Sequence, residues 1–347
     1  MKSILAIILI LLSINASSQT KDQQYYLDIS KAIGYSYGVF WALEYISDTY
    51  PDLAKEVTLS KMRFNLAFRT TLDAMEEEMA QAMEITVEEY KEKLEIQMKP
   101  LLNYEGVTRN VAMDYLNNFT NSKIKGKDET TVENIKIILA HNPTYRSNPY
   151  TEIKDGFIQT VDTKDHPKSS GLELNLTCPL SWSKKEGKRP HIVYLYESPI
   201  GDCSFTVLIK DMYKALLEEN PNLSREEVNY YKSQQFEYDL ADEMITEDYA
   251  EVFIKSLGLS TILSKNYRIT KFDGQPGMII QVMGTISRGT IDMKTQFISS
   301  IVIYKHYFIN IGGMIFSFEN ELQSNISKYE PVINSILNSL IIQNKWK

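Results

Sequence analysis

From Gln23 onward, apolar residues recur at steps of three and four: Tyr26, Ile29, Ile33, Tyr37, Phe40, Leu43 and Ile46. That spacing predicts a helix with one apolar face. Pro51 ends it, and Asp52 suits the first turn of the next. A second helical pattern runs from about Leu53 to Met83, with Met62, Leu66, Phe68, Leu72 and Met79 among its apolar positions. Thr86 followed by Glu89 spells a capping box, which opens a third helix reaching about Asn103. Two more cover roughly Gly106 to Phe119 and Thr131 to Leu139. Five helices joined by short breaks predict an all-helical domain over residues 19–145.

The pattern then changes. Residues 141–171 hold Pro143, Pro149, Pro167, Gly156 and Gly171 among many Asn, Ser, Thr and Asp. The stretch 146–170 therefore reads as a linker, with Phe157 to Val161 fitting a short first strand. Beyond Gly171 the period is two, with Leu172, Leu174, Leu176 and Cys178 alternating with Glu173, Asn175 and Thr177. Strand-like runs follow at Ile192–Tyr196, Phe205–Ile209, Tyr267–Phe272, Met278–Ile286, Ile291–Ile303 and Tyr307–Phe316. Arg288-Gly289 and Lys305-His306 sit at tight connections, so the last three predict an antiparallel meander. Asp211 to Leu259 reads as helical, and a closing helix lines up Val332, Ile333, Ile336, Leu337, Leu340 and Ile341. Strands with helices grouped around them make residues 171–347 an α+β domain.

The first eighteen residues follow another logic. Lys2 gives a positive start, Ile4 to Ile14 is apolar except for Ser13, and Ala16 and Ser18 precede a cut after Ser18. This is the layout of a secretory signal peptide. Eleven apolar residues are too few for a membrane-spanning helix, which needs about 20. Removal of residues 1–18 leaves 329 residues and takes the net charge from −8 to −9, because Lys2 is lost. The expected location is the periplasm or the medium, with no membrane span after cleavage. A length of 347 residues is ample for two domains. The 15 Gly and 11 Pro exclude collagen-like and low-complexity chains, and two Cys exclude a disulfide-dense scaffold or a thiolate zinc cluster. The acidic balance argues against nucleic acid as a partner.

The second half resembles the PsbP-like family. The residues that carry the resemblance are Gly171-Leu-Glu-Leu-Asn-Leu-Thr-Cys-Pro-Leu-Ser-Trp182, the loop 182–187, the strand His191 to Ser198, the hairpin opened by Asp273-Gly-Gln-Pro-Gly277, and the closing helix from Tyr329 to Ile342. The family includes an extrinsic photosystem subunit, a yeast Ran-binding protein and the exported bacterial DcrB-like proteins. It implies an antiparallel sheet packed with helices and an accessory or binding role, and it supplies no shared catalytic residues. The helical half lies outside the resemblance.

Candidate chemistry is sparse. Gly34-Tyr-Ser-Tyr-Gly38 spells the nucleophile elbow of α/β-hydrolases, with Ser36 as nucleophile. That elbow needs a strand before it, and the preceding residues read as helix. Close helix packing at Gly34 and Gly38 is the better reading. Ser181-Trp-Ser-Lys184 spells S-x-x-K but follows a strand and lacks a K-T-G partner. His141, His166, His191 and His306 have no metal-binding spacing, so no metal and no cofactor are expected. Lys184, Lys185, Lys188 and Arg189 cluster beside Trp182 and could dock an anion or an acidic protein. Residues 201–250 hold 12 Asp and Glu against 4 Lys and Arg, with Tyr230, Tyr231 and Phe236 among them, which marks a partner surface. Cys178 and Cys203 can form one disulfide in an exported protein or remain two buried thiols.

The expectation is an exported, non-enzymatic accessory or binding protein that docks to another envelope or secreted protein. The alternatives are an envelope hydrolase using Ser36 and a carrier holding a small ligand between its two domains.

Overall fold

The computed structural model describes residues 21–288, 291–317 and 321–347. The signal layout of residues 1–18 and the turn at Gly289 lie outside the described residues. The chain divides into two compact units, one ending at Ser147 and one running from Asn148 to Lys347.

The first unit is helical. Its helices are α1 (Lys21–Thr49), α2 (Ala54–Ala82), α3 (Val87–Met98), α4 (Arg109–Asn117), α5 (Glu129–Ala140) and the short α6 (Pro143–Ser147). Their starts follow local chemistry. The Thr86 hydroxyl accepts the Glu89 N–H at 3.1 Å, and the Glu89 carboxylate accepts the Thr86 N–H at 2.9 Å. Thr108 and Asp128 cap α4 and α5 with their side chains alone, accepting the N–H of Val111 and of Thr131. Ile29, Ile33 and Leu43 of α1 meet Phe64, Phe68, Leu72, Met75 and Met79 of α2 in a dry core. Met62 and Leu66, also apolar, fall on the opposite stripe of α2, and Leu66 is 91% exposed. Gly38 does not mark a close helix crossing, since a Cβ placed there would meet nothing within 4 Å.

The second unit starts at once. Residues 148–170, expected as a linker, are folded into it. They form α7 (Tyr150–Lys154) and β1 (Ile158–Asp162), and β1 pairs antiparallel with β2 (Leu174–Pro179). Pro149, Pro167 and the glycines shape turns in packed structure rather than a free connection. The strands continue as β3 (Ser183–Glu186), β4 (Ile192–Glu197) and β5 (Cys203–Asp211). Four acidic helices follow: α8 (Met212–Glu219), α9 (Arg225–Tyr231), α10 (Gln234–Met244) and α11 (Glu247–Ser256). Then come β6 (Thr261–Phe272), β7 (Gln275–Arg288), β8 (Ile291–Tyr304), β9 (Tyr307–Ser317), α12 (Leu322–Asn338) and β10 (Ile341–Ile342).

These strands build a three-stranded sheet, β1-β2-β10, and a seven-stranded antiparallel sheet, β3-β4-β5-β9-β8-β7-β6. The expected three-stranded meander is its β9-β8-β7 part, and β6 extends it by one strand. Asp273 and Gly274, both at positive φ, make the two-residue turn between β6 and β7. One face of the large sheet shares a core with α12 and the small sheet, through Val161, Leu176, Trp182, Phe205, Ile309, Ile311, Ile333 and Leu337. The other face packs Met278, Ile280 and Ile301 against Leu240, Ala250 and Ile254 of α10 and α11. Seven residues of α12 are buried, and at about 1.5–3 kcal/mol each that helix is a principal fastener of the unit. Gly313 permits it, because a Cβ there would lie 2.6 Å from Ile333.

The chain past α12 is tied down. Ile342 N–H donates to the Asp273 carboxylate at 3.0 Å, and the Trp346 indole N–H donates to the same oxygen at 3.2 Å. Glu173 N–H donates to the Asn344 side chain at 2.6 Å.

Candidate functional site

The residues expected to bind a partner separate into surface and core. Trp182 is fully buried between Phe205 (5.9 Å) and Tyr329 (6.2 Å), so it is core and touches no partner. Phe236 is also core, 8% exposed, because α10 turns it onto the sheet. Tyr230 is exposed, and its hydroxyl donates to Asp239 at 2.6 Å, which holds that carboxyl below its ordinary value. Tyr231 is half-buried and packs on both rings, 5.4 Å from Tyr230 and 5.2 Å from Phe236. The acidic surface therefore offers Tyr230 and not the trio.

Lys184, Lys185, Lys188 and Arg189 are exposed on β3 and the turn after it. Two of the four are already engaged. Lys184 lies 3.7 Å over the Tyr194 ring, and Lys185 pairs with Glu197. Cys178 and Cys203 are not joined to each other. They lie on different sheets as buried thiols, and burial pushes the Cys203 thiol up.

Ser36 sits in the middle of α1, fully buried, and its hydroxyl donates to Ala32 O at 2.9 Å. A nucleophile elbow is a strand-to-helix corner with an exposed hydroxyl, and α1 provides neither. Ser181 is tied to Glu152, whose carboxylate accepts its N–H at 2.8 Å and its hydroxyl at 2.7 Å. Burial raises the Glu152 carboxyl to about 7, while the bonds from Ser181 and the Leu180 backbone pull the other way. This pair joins α7 to the β2–β3 corner.

Two features of the second unit were not read from the sequence. The first is β6. It ends the large sheet, runs twelve residues, and has β7 as its one strand neighbour among the described residues. Nearly every residue of it is exposed, including Leu263 (58%) and Ile269 (62%). Proteins commonly shorten, cover or break such edges with proline. β6 has no proline, and one register shift between Ile262 and Ser264 is its sole irregularity.

The second is a cleft of about 470 Å³ between β6, β7 and α12. Its walls follow from the pleat and the helix turn. Asn266 stands opposite Gln281, and Arg268 stands opposite Ile279. Asn334 and Asn338, one helical turn apart, face them beside Leu337. Gln281 donates to Glu330 at 3.2 Å. The side chains of Asn266, Arg268, Asn334 and Asn338 have no hydrogen-bond or ion-pair partner among the described residues. Lys265, next along β6, points to the other face and pairs with Glu251 of α11.

The helical unit has a recess of similar size, about 500 Å³, over Tyr37, Phe40 and Trp41. There most charges neutralise one another: Lys99 bridges Glu44 (3.1 Å) and Glu95 (2.8 Å), and Arg69 pairs with Asp73.

Among the described residues no helix is long and apolar enough to cross a membrane. Compared with known proteins, the chain matches no family model and no curated protein. Solved structures do show likeness. The cyanobacterial PsbP (CyanoP) of Synechocystis is 12% identical, with 53% of this chain and 92% of that chain covered at a TM-score of 0.31. LpqN, involved in cell envelope biogenesis of Mycobacterium tuberculosis, is 10% identical, with 56% of this chain and 96% of that chain covered at a TM-score of 0.30. Both concern the fold of about half the chain and carry no statement about activity.

Proposed function

We propose that this chain is a non-enzymatic binding protein of the bacterial cell envelope, which docks to another protein by taking an extended segment of it along β6. The free twelve-residue edge of β6 is the observation that carries this reading. Strand addition gives affinity through main-chain hydrogen bonds and specificity through alternate side chains. Leu263 and Ile269 offer apolar contact, and Arg268 and Lys271 have no ion pair among the described residues, so an acidic segment fits best. The envelope location rests on the layout of residues 1–18. The non-enzymatic part rests on the buried, bonded state of Ser36 and the engagement of Ser181 by Glu152.

The test uses the chain from Gln19 onward as bait in a native envelope extract, beside its Ile269→Pro and Thr270→Pro variants. Alternate residues of an edge strand point their N–H outward. One of the two prolines therefore spares the pairing with β7 and still blocks the edge. A protein held by the wild type and lost from the variant that keeps its unfolding midpoint supports the reading. Capture that survives both prolines refutes it.

A further inference from the structure

We infer that the cleft between β6 and α12 is a binding site for an acidic saccharide, a glycan segment that carries a uronate. The walls present polar side chains that are open to solvent and so to a ligand. A sugar hydroxyl both donates and accepts, and so does a side-chain amide. Asn266, Asn334 and Asn338 present three such amides with no partner among the described residues, and Gln281 adds a fourth whose nitrogen leans on Glu330. Arg268 brings a planar fork of donors that matches a carboxylate in two parallel bonds. Half-buried Ile279 gives the cleft an apolar surface for the C–H face of a pyranose ring, with Leu337 of the core behind it.

Charge narrows the class. Among the described lining residues Arg268 is the charged one, and the nearby Glu330 carboxylate accepts from Gln281, so the cleft favours an anion at Arg268. The volume, about 470 Å³, lies within the range of small-molecule sites. The recess on the helical unit lacks this character, because Lys99, Glu44 and Glu95 satisfy each other. The inference does not rest on strand docking. Two of the cleft's four amides, Asn334 and Asn338, belong to α12, and the substitutions that test the cleft differ from the prolines that test the edge.

The experiment is calorimetric titration of the chain from Gln19 onward with tetragalacturonate, maltotetraose and acetate as probes. Saturable binding of tetragalacturonate, at least tenfold tighter than maltotetraose, with no heat from acetate, is the expected result. Arg268→Gln lowers tetragalacturonate binding about tenfold or more and leaves maltotetraose unchanged. Asn334→Leu weakens both sugars. Arg268→Lys keeps the charge without the fork and falls between. The substituted side chains have no partner among the described residues, so the unfolding midpoints stay at the wild-type value. Absence of saturable tetragalacturonate binding overturns the proposal. So does an Arg268→Gln variant that binds like the wild type, or acetate that competes as well as the sugar.

Discussion

Glu152 makes the fold measurably sensitive to pH, and the sign can be worked out in advance. In the unfolded chain its carboxyl releases a proton near the ordinary 4.5, whereas in the fold burial holds the proton until about 7. Between those values the folded state binds more protons than the unfolded one. This contribution to stability is therefore complete below pH 4.5 and is lost as pH rises towards 7. The gap of about 2.5 corresponds to about 3 kcal/mol at 1.36 kcal/mol per pH unit. Glu152→Gln isolates the effect. The amide oxygen still accepts the Ser181 N–H, and the amide nitrogen donates to the Ser181 hydroxyl, so shape and both bonds persist. Urea unfolding is followed by fluorescence in a Trp41→Phe background, which leaves Trp182 and Trp346 of the second unit as reporters. At pH 8 the Gln variant is more stable by about 3 kcal/mol, and at pH 5 the two agree within about 1 kcal/mol. The same difference at both pH values, or a variant less stable at pH 8, refutes the reasoning.

Three further outcomes follow from the packing. Phe236→Ala costs the second unit about 3–5 kcal/mol, whereas Tyr238→Ala, on an exposed ring, stays within about 0.5 kcal/mol, as urea titration of both will show. A thiol reagent reacts with neither cysteine in the folded chain and with both in denaturant without reductant; a disulfide would give none in either state. Thr86→Ala removes the side-chain half of the capping box and lowers the stability of the helical unit by about 1 kcal/mol, read from its Trp41 fluorescence.

The helical half was legible because its signals are local. The spacing from Tyr26 to Ile46, the break at Pro51 and the Thr86–Glu89 cap each specify structure within one or two turns. The central strands were legible because β2, β5 and β9 alternate buried and less buried positions. Edges escaped for the converse reason. β3 is exposed on both faces and its Ser-Lys-Lys-Glu spelling looks like a loop. The start of β6, Thr261 to Asn266, has no buried position to set a period. Composition misled at 148–170, where proline and glycine shape packed turns. The acidic run misled at Phe236, because an aromatic among charges can still face inward once per helical turn. The cleft is invisible in sequence. Asn266, Gln281 and Asn334 come from three elements, and the i, i+4 pair Asn334 and Asn338 was its one local trace.

The ties at Asp273 and Glu173 have a consequence for how this protein is made. The Glu173 N–H meets Asn344 across 171 residues of chain, and β2 gains its second neighbour when β10 arrives. The helical unit can reach its final form while the rest is still being synthesised, because its contacts close locally. The second unit cannot. β10 covers two positions of β2, Leu174 and Asn175, and Ile342 and Trp346 bring the amide and indole that hold the Asp273 carboxylate, so these ties close only after α12 has been made. The second unit thus locks late, long after the helical unit has closed its own contacts.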